Sequence, residues 1–162
     1  MLKVGTRVWA VGLAAAVLSL VGCSNSEMKS DSGAEKSLYD RLGGESAITA
    51  VVDDFVASGA ANPKVNFTRK GTKMEWQATP ENVAHMKKML VQFICAATGG
   101  PQKYAGKDMK KLHTGMKISN AEFDALAADL VASLKKLSVP QKEIDELVAI
   151  VGTTRKDIVE VQ

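Results

Sequence analysis

The fold of this chain is indicated most clearly by the segment YAGKDMKKLHTGMKI, residues 104–118. Within it, residues 107–114 are predicted to form a short helix that carries Met109, Leu112 and His113. A single histidine on a helix is more often an ordinary surface or core residue than a ligand. The segment alone therefore assigns no role to His113, one of two histidines in the 162-residue chain.

Apolar residues recur at helical spacing before this segment. Ser37 is a candidate N-cap of a short helix that Gly43–Gly44 ends. The next helix has apolar residues at positions i, i+3, i+4 and i+7, which are Ile48, Val51, Val52 and Phe55. Thr79 with Pro80 opens a further helix, and residues 99–101 (GGP) end it.

Helices are also predicted after the segment. Residues 119–122 (SNAE) form a capping box in front of a strongly amphipathic helix. Residues 138–141 (SVPQ) repeat this helix-start pattern before another apolar stripe. The irregular stretch from Gly59 to Pro80 is long for a compact domain, which suggests a functional loop. No segment shows sustained alternation of period two, so the predicted class is all-α.

The first 36 residues are predicted to be a targeting and tether segment rather than part of the folded domain. Two basic residues precede an uncharged run from Val8 to Val21, which is short for a membrane span but right for a signal peptide. The run ends in LVGC with Cys23, and this order resembles the bacterial lipoprotein signal. It implies a signal peptide over residues 1–22 and a lipid on Cys23. An ordinary signal peptide, or an uncleaved anchor with an incidental cysteine, is the alternative.

Residues 23–36 are predicted to be a flexible tether that carries the lipid, because they contain too little apolar surface to order themselves. Ser24 after the cysteine is similar to the pattern of lipoproteins sorted to an outer membrane. We therefore expect an exported protein that is anchored to a membrane, periplasmic or associated with the outer membrane. Residues 37–162 would be the folded domain.

Composition excludes some classes of protein. Removal of residues 1–22 takes away Lys3 and Arg7 and leaves a nearly neutral chain, so nucleic acid is not an expected partner. Two histidines without paired acidic ligands make a poor zinc site, and no serine, histidine and aspartate grouping suggests hydrolysis. Cys95 lies among apolar neighbours and is predicted to be a buried, inert thiol.

Taken together, these residues resemble the truncated haemoglobins, most closely those of the first group. The most specific part is Tyr-x-Gly-x-x-Met-x-x-x-His, residues 104–113. Other matching stretches are LYDRLGG (38–44), VVDDF (51–55), residues 93–101, FDAL (123–126) and Val139–Pro140. The likeness covers about residues 37–159, with a gap in the loop before Pro80.

The resemblance implies a two-over-two helical sandwich around non-covalently held haem b, with His113 as the proximal iron ligand. It also implies a set of haem-lining residues: Phe55, Val56, Phe67, Met86, Met89, Leu90, Phe93, Met109, Leu112, Ile118 and Leu126. Phe67 and Trp76 are expected to cover the haem. The sequence has no Cys-x-x-Cys-His, which excludes covalent attachment of the c type.

The distal side departs from the family pattern. Val56 stands where the family usually has a tyrosine whose hydroxyl hydrogen-bonds bound O₂. Met86, Met89 and Leu90 align with positions that often carry glutamine or histidine, and none of them is a good donor. Loss of a buried donor costs about 1–3 kcal/mol, or roughly tenfold or more in ligand retention. CO and NO depend less on such a donor.

The resemblance therefore implies reversible binding of a diatomic ligand, O₂ or NO, in an unusually apolar pocket. An NO dioxygenase-type side activity would need a reductase, and the sequence does not indicate a redox partner. One alternative is a haem electron carrier in which Met86, Met89 or His85 binds the iron opposite His113. Another is a helical lipoprotein that has lost haem and binds another protein.

Overall fold

A computed structural model describes residues 35–161, and the signal-peptide, Cys23 and tether predictions lie outside these residues apart from Glu35 and Lys36. The described part is helical, as predicted, and contains no strand beyond one isolated bridge between Ser119 and Val161. Its helices are α1 (Leu38–Arg41), α2 (Gly44–Ala61), α3 (Pro80–Ala97), α4 (Met109–His113), α5 (Asn120–Lys136), α6 (Gln141–Gly152) and α7 (Arg155–Ile158). Within residues 35–161 no helix has the length and apolar character needed to cross a membrane.

Three predicted helix starts are confirmed by their capping bonds. The side chains of Ser37 and Thr79 accept backbone N–H groups of α1 and α3, and Pro80 occupies the first turn of α3. Ser119 and Glu122 form both hydrogen bonds of a capping box at α5. The start of α6 differs, because Ser138 has a left-handed φ of 59° and Pro140 is the N-cap without a side-chain bond.

The helices form two packed pairs that cross each other. Helix α2 packs against α3, α5 packs against α6, and α2 also contacts α5 across the two layers. This is the predicted two-over-two arrangement. The layers approach closely at Gly59, where an added Cβ would lie 2.8 Å from Cδ1 of Leu126. The centre of the core contains Val52, Cys95, Leu134, Ile144 and Leu147.

The buried face of α2 is rotated slightly from the predicted one. Ile48, Val51 and Val52 are buried as expected, but Val56 is buried and Phe55 is only half-buried. Positions i+7 and i+8 lie on the same side of a helix, so the spacing alone could not choose between them. Helix α2 also continues to Ala61, which confines the irregular loop to residues 62–79.

The loop over residues 62–79 is anchored to the start of α5. Arg69, only 6% exposed and left-handed at φ 53°, forms an ion pair with Glu122. The same carboxylate accepts the Asn66 N–H at 3.2 Å and completes the capping box of α5. Glu122 therefore ties the loop to the layer that contains α5.

This anchor predicts a dependence of stability on pH. Burial would raise the pKa of Glu122, but its hydrogen bonds with Ser119, Arg69 and Asn66 outweigh burial and lower the pKa below 4.5. A carboxyl whose pKa is lower in the folded state stabilises the fold above its unfolded pKa. That stabilisation is lost as the pH falls through the lower folded-state pKa.

We therefore expect Glu122→Gln to cost about 3 kcal/mol at neutral pH and to flatten the loss of stability below pH ~4.5. Both effects can be measured by urea unfolding of the haem-free protein between about pH 3 and pH 7, a range that spans the usual pKa values of carboxyl groups. Asp53→Asn, which removes a largely exposed carboxylate, is the control. Equal pH profiles for the two variants would contradict the assignment.

Candidate functional site

His113 is the last residue of the short helix α4, which Asp108 caps by accepting the Lys111 N–H at 3.2 Å. Its Nδ1 lies 2.8 Å from the carbonyl oxygen of Met109. Because a carbonyl oxygen can only accept a hydrogen bond, Nδ1 carries the proton. The lone pair of Nε2 is then left to bind a metal ion. This is the tautomer that an iron-binding imidazole requires.

The surroundings of His113 keep its imidazole neutral. Burial lowers its pKa below 6.5, while the bond to Met109 and the charge of Glu160 oppose the shift and Arg69 adds to it. A neutral imidazole is the form that binds iron. Among residues 35–161 there is no cluster of three histidine, cysteine or acidic side chains that could hold a metal ion.

The predicted lining residues come from four parts of the chain: α2, the 62–79 loop, α3, and the region from α4 to α5. Val56 is buried at 5% exposure. The others are half-buried: Phe55, Phe67, Met86, Met89, Leu90, Phe93, Met109, Leu112, Ile118 and Leu126. Large, partly exposed apolar side chains on several elements can pack against a flat apolar group. Together with Nε2 of His113 as an iron ligand, they fit a haem.

The aromatic residue of the Tyr-x-Gly motif has a role that the sequence did not reveal. The ring of Tyr104 packs edge-on against Phe93 of α3, with 5.6 Å between ring centroids. The same ring covers Gly106 so closely that an added Cβ would lie 2.2 Å from it. The motif therefore joins the segment before α4 to α3.

The alternative iron ligands on α3, His85 and Met86, differ in burial. His85 is exposed, whereas the neighbouring Met86 packs against the hydrophobic core. The one-residue rotation of α3 that would bring His85 inward is not observed. Cys95 is fully buried in the core, as its sequence context predicted.

A cavity of about 630 Å³ lies between α2, the 62–79 loop and α3. Val56 and Phe67 are the predicted lining residues that border it, and its wide mouth also has Lys70 and Lys87 on its rim. Trp76 packs against Phe67 within the loop. Its Nε1–H donates to the Phe67 carbonyl oxygen at 2.9 Å, and the two ring centroids are 5.4 Å apart. Space is therefore available beside Val56.

The architecture, together with the half-buried imidazole of His113, is that of a class of protein, the globins with a shortened helical sandwich. Residues 37–160 match the bacterial-like globin family, and the chain belongs to that family. It is 35% identical over 123 residues to the group 1 truncated haemoglobin of Tetrahymena pyriformis, covering 76% of this chain and 94% of the relative. The group 1 truncated haemoglobin of Mycolicibacterium paratuberculosis is 30% identical, with 75% and 83% covered.

Solved structures agree with this assignment. The Fe(III) form of the Tetrahymena pyriformis protein superposes with a TM-score of 0.65 over 76% of this chain and 98% of that one. The 2/2 haemoglobin of Synechococcus, at 32% identity and a TM-score of 0.64, covers the same fractions of the two chains. The chain is a haem-binding globin, and the haem iron supplies the position at which a diatomic ligand binds.

Proposed function

We propose that this globin holds haem b through His113 and binds a diatomic gas on a distal side where Val56, Met86, Met89 and Leu90 offer the ligand no hydrogen-bond donor. The observation that carries the proposal is the burial of Val56 in α2, at the position where the family usually has a tyrosine. Met86, Met89 and Leu90 supply only thioether and hydrocarbon groups on α3. The distal side therefore selects ligands by size and polarity rather than by a donated hydrogen bond.

An apolar distal pocket disfavours the ligand that gains most from a donor. Bound O₂ carries partial negative charge, whereas CO is nearly neutral, so a missing donor weakens O₂ retention much more than CO retention. The globin match fills residues 37–160, so an NO dioxygenase-type activity would need a separate reductase. We propose ligand binding, with O₂ or NO as the ligand.

The relative retention of O₂ and CO tests this proposal. We expect O₂ to dissociate quickly from the ferrous protein and the equilibrium to favour CO strongly over O₂. Stopped-flow replacement of each ligand measures the dissociation rates, and flash photolysis measures the association rates. Tighter binding of O₂ than of CO would show that a donor reaches the ligand and would contradict the apolar pocket.

We further propose that the globin is a lipoprotein: residues 1–22 are a signal peptide, Cys23 carries the lipid, and residues 23–36 join it to the globin domain. The first helix is capped at Ser37 and the family match begins there, which leaves all 36 preceding residues outside the globin. Each buried CH₂ of an acyl chain contributes about 0.8 kcal/mol, so several chains would hold the protein firmly on a bilayer.

Cys23→Ser is expected to release the protein from the membrane fraction of the cells that express it. Intact mass should show acyl chains on the amino terminus of the original protein and none on the variant. Ser26→Ala, a change in the same segment that leaves the cysteine in place, should stay in the membrane fraction. Retention of Cys23→Ser on membranes without a lipid mass would favour an uncleaved anchor instead.

A further inference from the structure

We propose that Glu160 is a positioning residue for His113, because its carboxylate fixes the turn that follows the histidine. The inference rests on the proposed function in one respect, namely that His113 binds the iron. Glu160 lies 47 positions after His113 in the sequence, just beyond α7. It therefore reaches the site only through the fold.

The carboxylate of Glu160 accepts two backbone N–H groups of the turn. Oε1 accepts from Gly115 at 2.8 Å, and Oε2 accepts from Lys117 at 2.7 Å. Both oxygens are thus engaged with residues that lie two and four positions after the histidine. Hydrogen bonds to an ionised acceptor are shorter and stronger than neutral ones, and a bidentate pair fixes direction as well as distance.

The backbone around Glu160 adds a second set of contacts. The N–H groups of Glu160 and Val161 donate to the Ile118 carbonyl oxygen at 2.9 and 3.1 Å, and the Asn120 N–H donates to the Val161 carbonyl oxygen at 3.3 Å. Helix α7 also packs against α4. Glu160 and Val161 therefore hold the link between α4 and α5 at Gly115, Lys117, Ile118 and Asn120.

The turn needs such an anchor because its backbone is strained. Gly115 and Lys117 have left-handed φ values of 87° and 53°, and for lysine that conformation is unfavourable. Such residues persist when their surroundings over-determine them. Successive N–H groups in such turns form a concave site for an anion, and here the anion is supplied by the chain itself.

The turn after His113 also determines the direction of the imidazole. Helix α4 has only five residues, too few to hold its own direction, and Met116 donates its N–H to the His113 carbonyl oxygen at 3.0 Å. Loss of the two carboxylate bonds would loosen the turn at the end of α4, while the Met109 bond inside α4 and the packing of α7 stay. The imidazole would then keep its tautomer and lose its fixed orientation towards the iron.

Three variants test this proposal: Glu160→Ala, Glu160→Gln, which keeps one acceptor oxygen, and Asp157→Asn, a control that removes a carboxylate of α7. In haem-free protein, amide hydrogen exchange at Gly115 and Lys117 should be about tenfold faster in Glu160→Ala than in the control. In the ferrous haem protein, resonance Raman should show a shifted and broadened iron–histidine stretch, with Glu160→Gln intermediate. Haem loss should be several-fold faster.

An unchanged iron–histidine stretch in Glu160→Ala, with the haem bound, would overturn the positioning role even if the turn exchanges faster. Unchanged exchange at both amides would overturn the anchoring itself. Failure of the original protein to bind haem would contradict the proposed function, and the exchange measurement would still decide whether Glu160 holds the turn.

Discussion

Replacement of His113 by glycine is expected to lower the affinity for haem at least a hundredfold. Loss of a residue that only supports a metal ligand already lowers metal affinity by up to about a hundredfold, and loss of the ligand itself should cost more. The imidazole is half-buried, is kept neutral by its surroundings and presents Nε2. The remaining contacts with haem would be apolar and would not bind the iron. Titration of haem into the variant, followed at the Soret band, measures the loss, and added imidazole should restore part of the binding.

His85→Gly is the matched control for this variant, because it removes the only other histidine from an exposed position of α3. We expect its haem affinity and spectrum to equal those of the original protein. The assignment of His113 fails if the two variants exchange these results, or if His113→Gly binds haem with an unaltered spectrum and affinity.

Val56→Tyr is expected to slow the dissociation of O₂ about tenfold or more, because a buried hydroxyl can donate to the ligand and contribute roughly 1–3 kcal/mol. The cavity beside Val56 leaves space for the larger ring, which reduces the risk of overpacking. Dissociation of CO should change little. Ligand replacement in a stopped-flow instrument measures both rates on the same preparation.

Val56→Phe separates the hydroxyl from the ring. It adds the same aromatic volume without a donor, so any effect of bulk or of a narrowed cavity appears in both variants. We expect only the tyrosine to slow O₂ dissociation. Equal O₂ rates in the two variants would mean that position 56 does not face the bound ligand, and the explanation of the apolar pocket would then fail.

The sequence predicted most of the fold because its signals are local. Ser37, Thr79 with Pro80, and Ser119 with Glu122 each mark a helix start through bonds to residues three positions away, and all three starts are confirmed. Helix α6 also begins where the pattern of residues 138–141 predicted a start, but Ser138 has a left-handed φ and Pro140, which has no side-chain capping bond, is the N-cap. A capping pattern does not state the backbone conformation of its first residue.

The candidate site was predictable only in part. The motif around His113 pointed to the histidine through its resemblance to a family, and the structure adds the neutral imidazole and the free Nε2. The contacts made by Tyr104, Arg69 and Glu160 were not predictable, because their partners are fixed by tertiary packing. The partner of Arg69 lies 53 positions away, and the two partners of Glu160 lie 45 and 43 positions away.

Gas binding by this globin requires one open iron position opposite His113. The absorption spectrum of the ferrous haem protein, recorded before and after addition of CO, tests this most directly. We predict a five-coordinate ferrous form that converts completely to a CO complex. A six-coordinate ferrous spectrum that CO does not change would place Met86, Met89 or His85 on the iron and would contradict gas binding in favour of electron transfer.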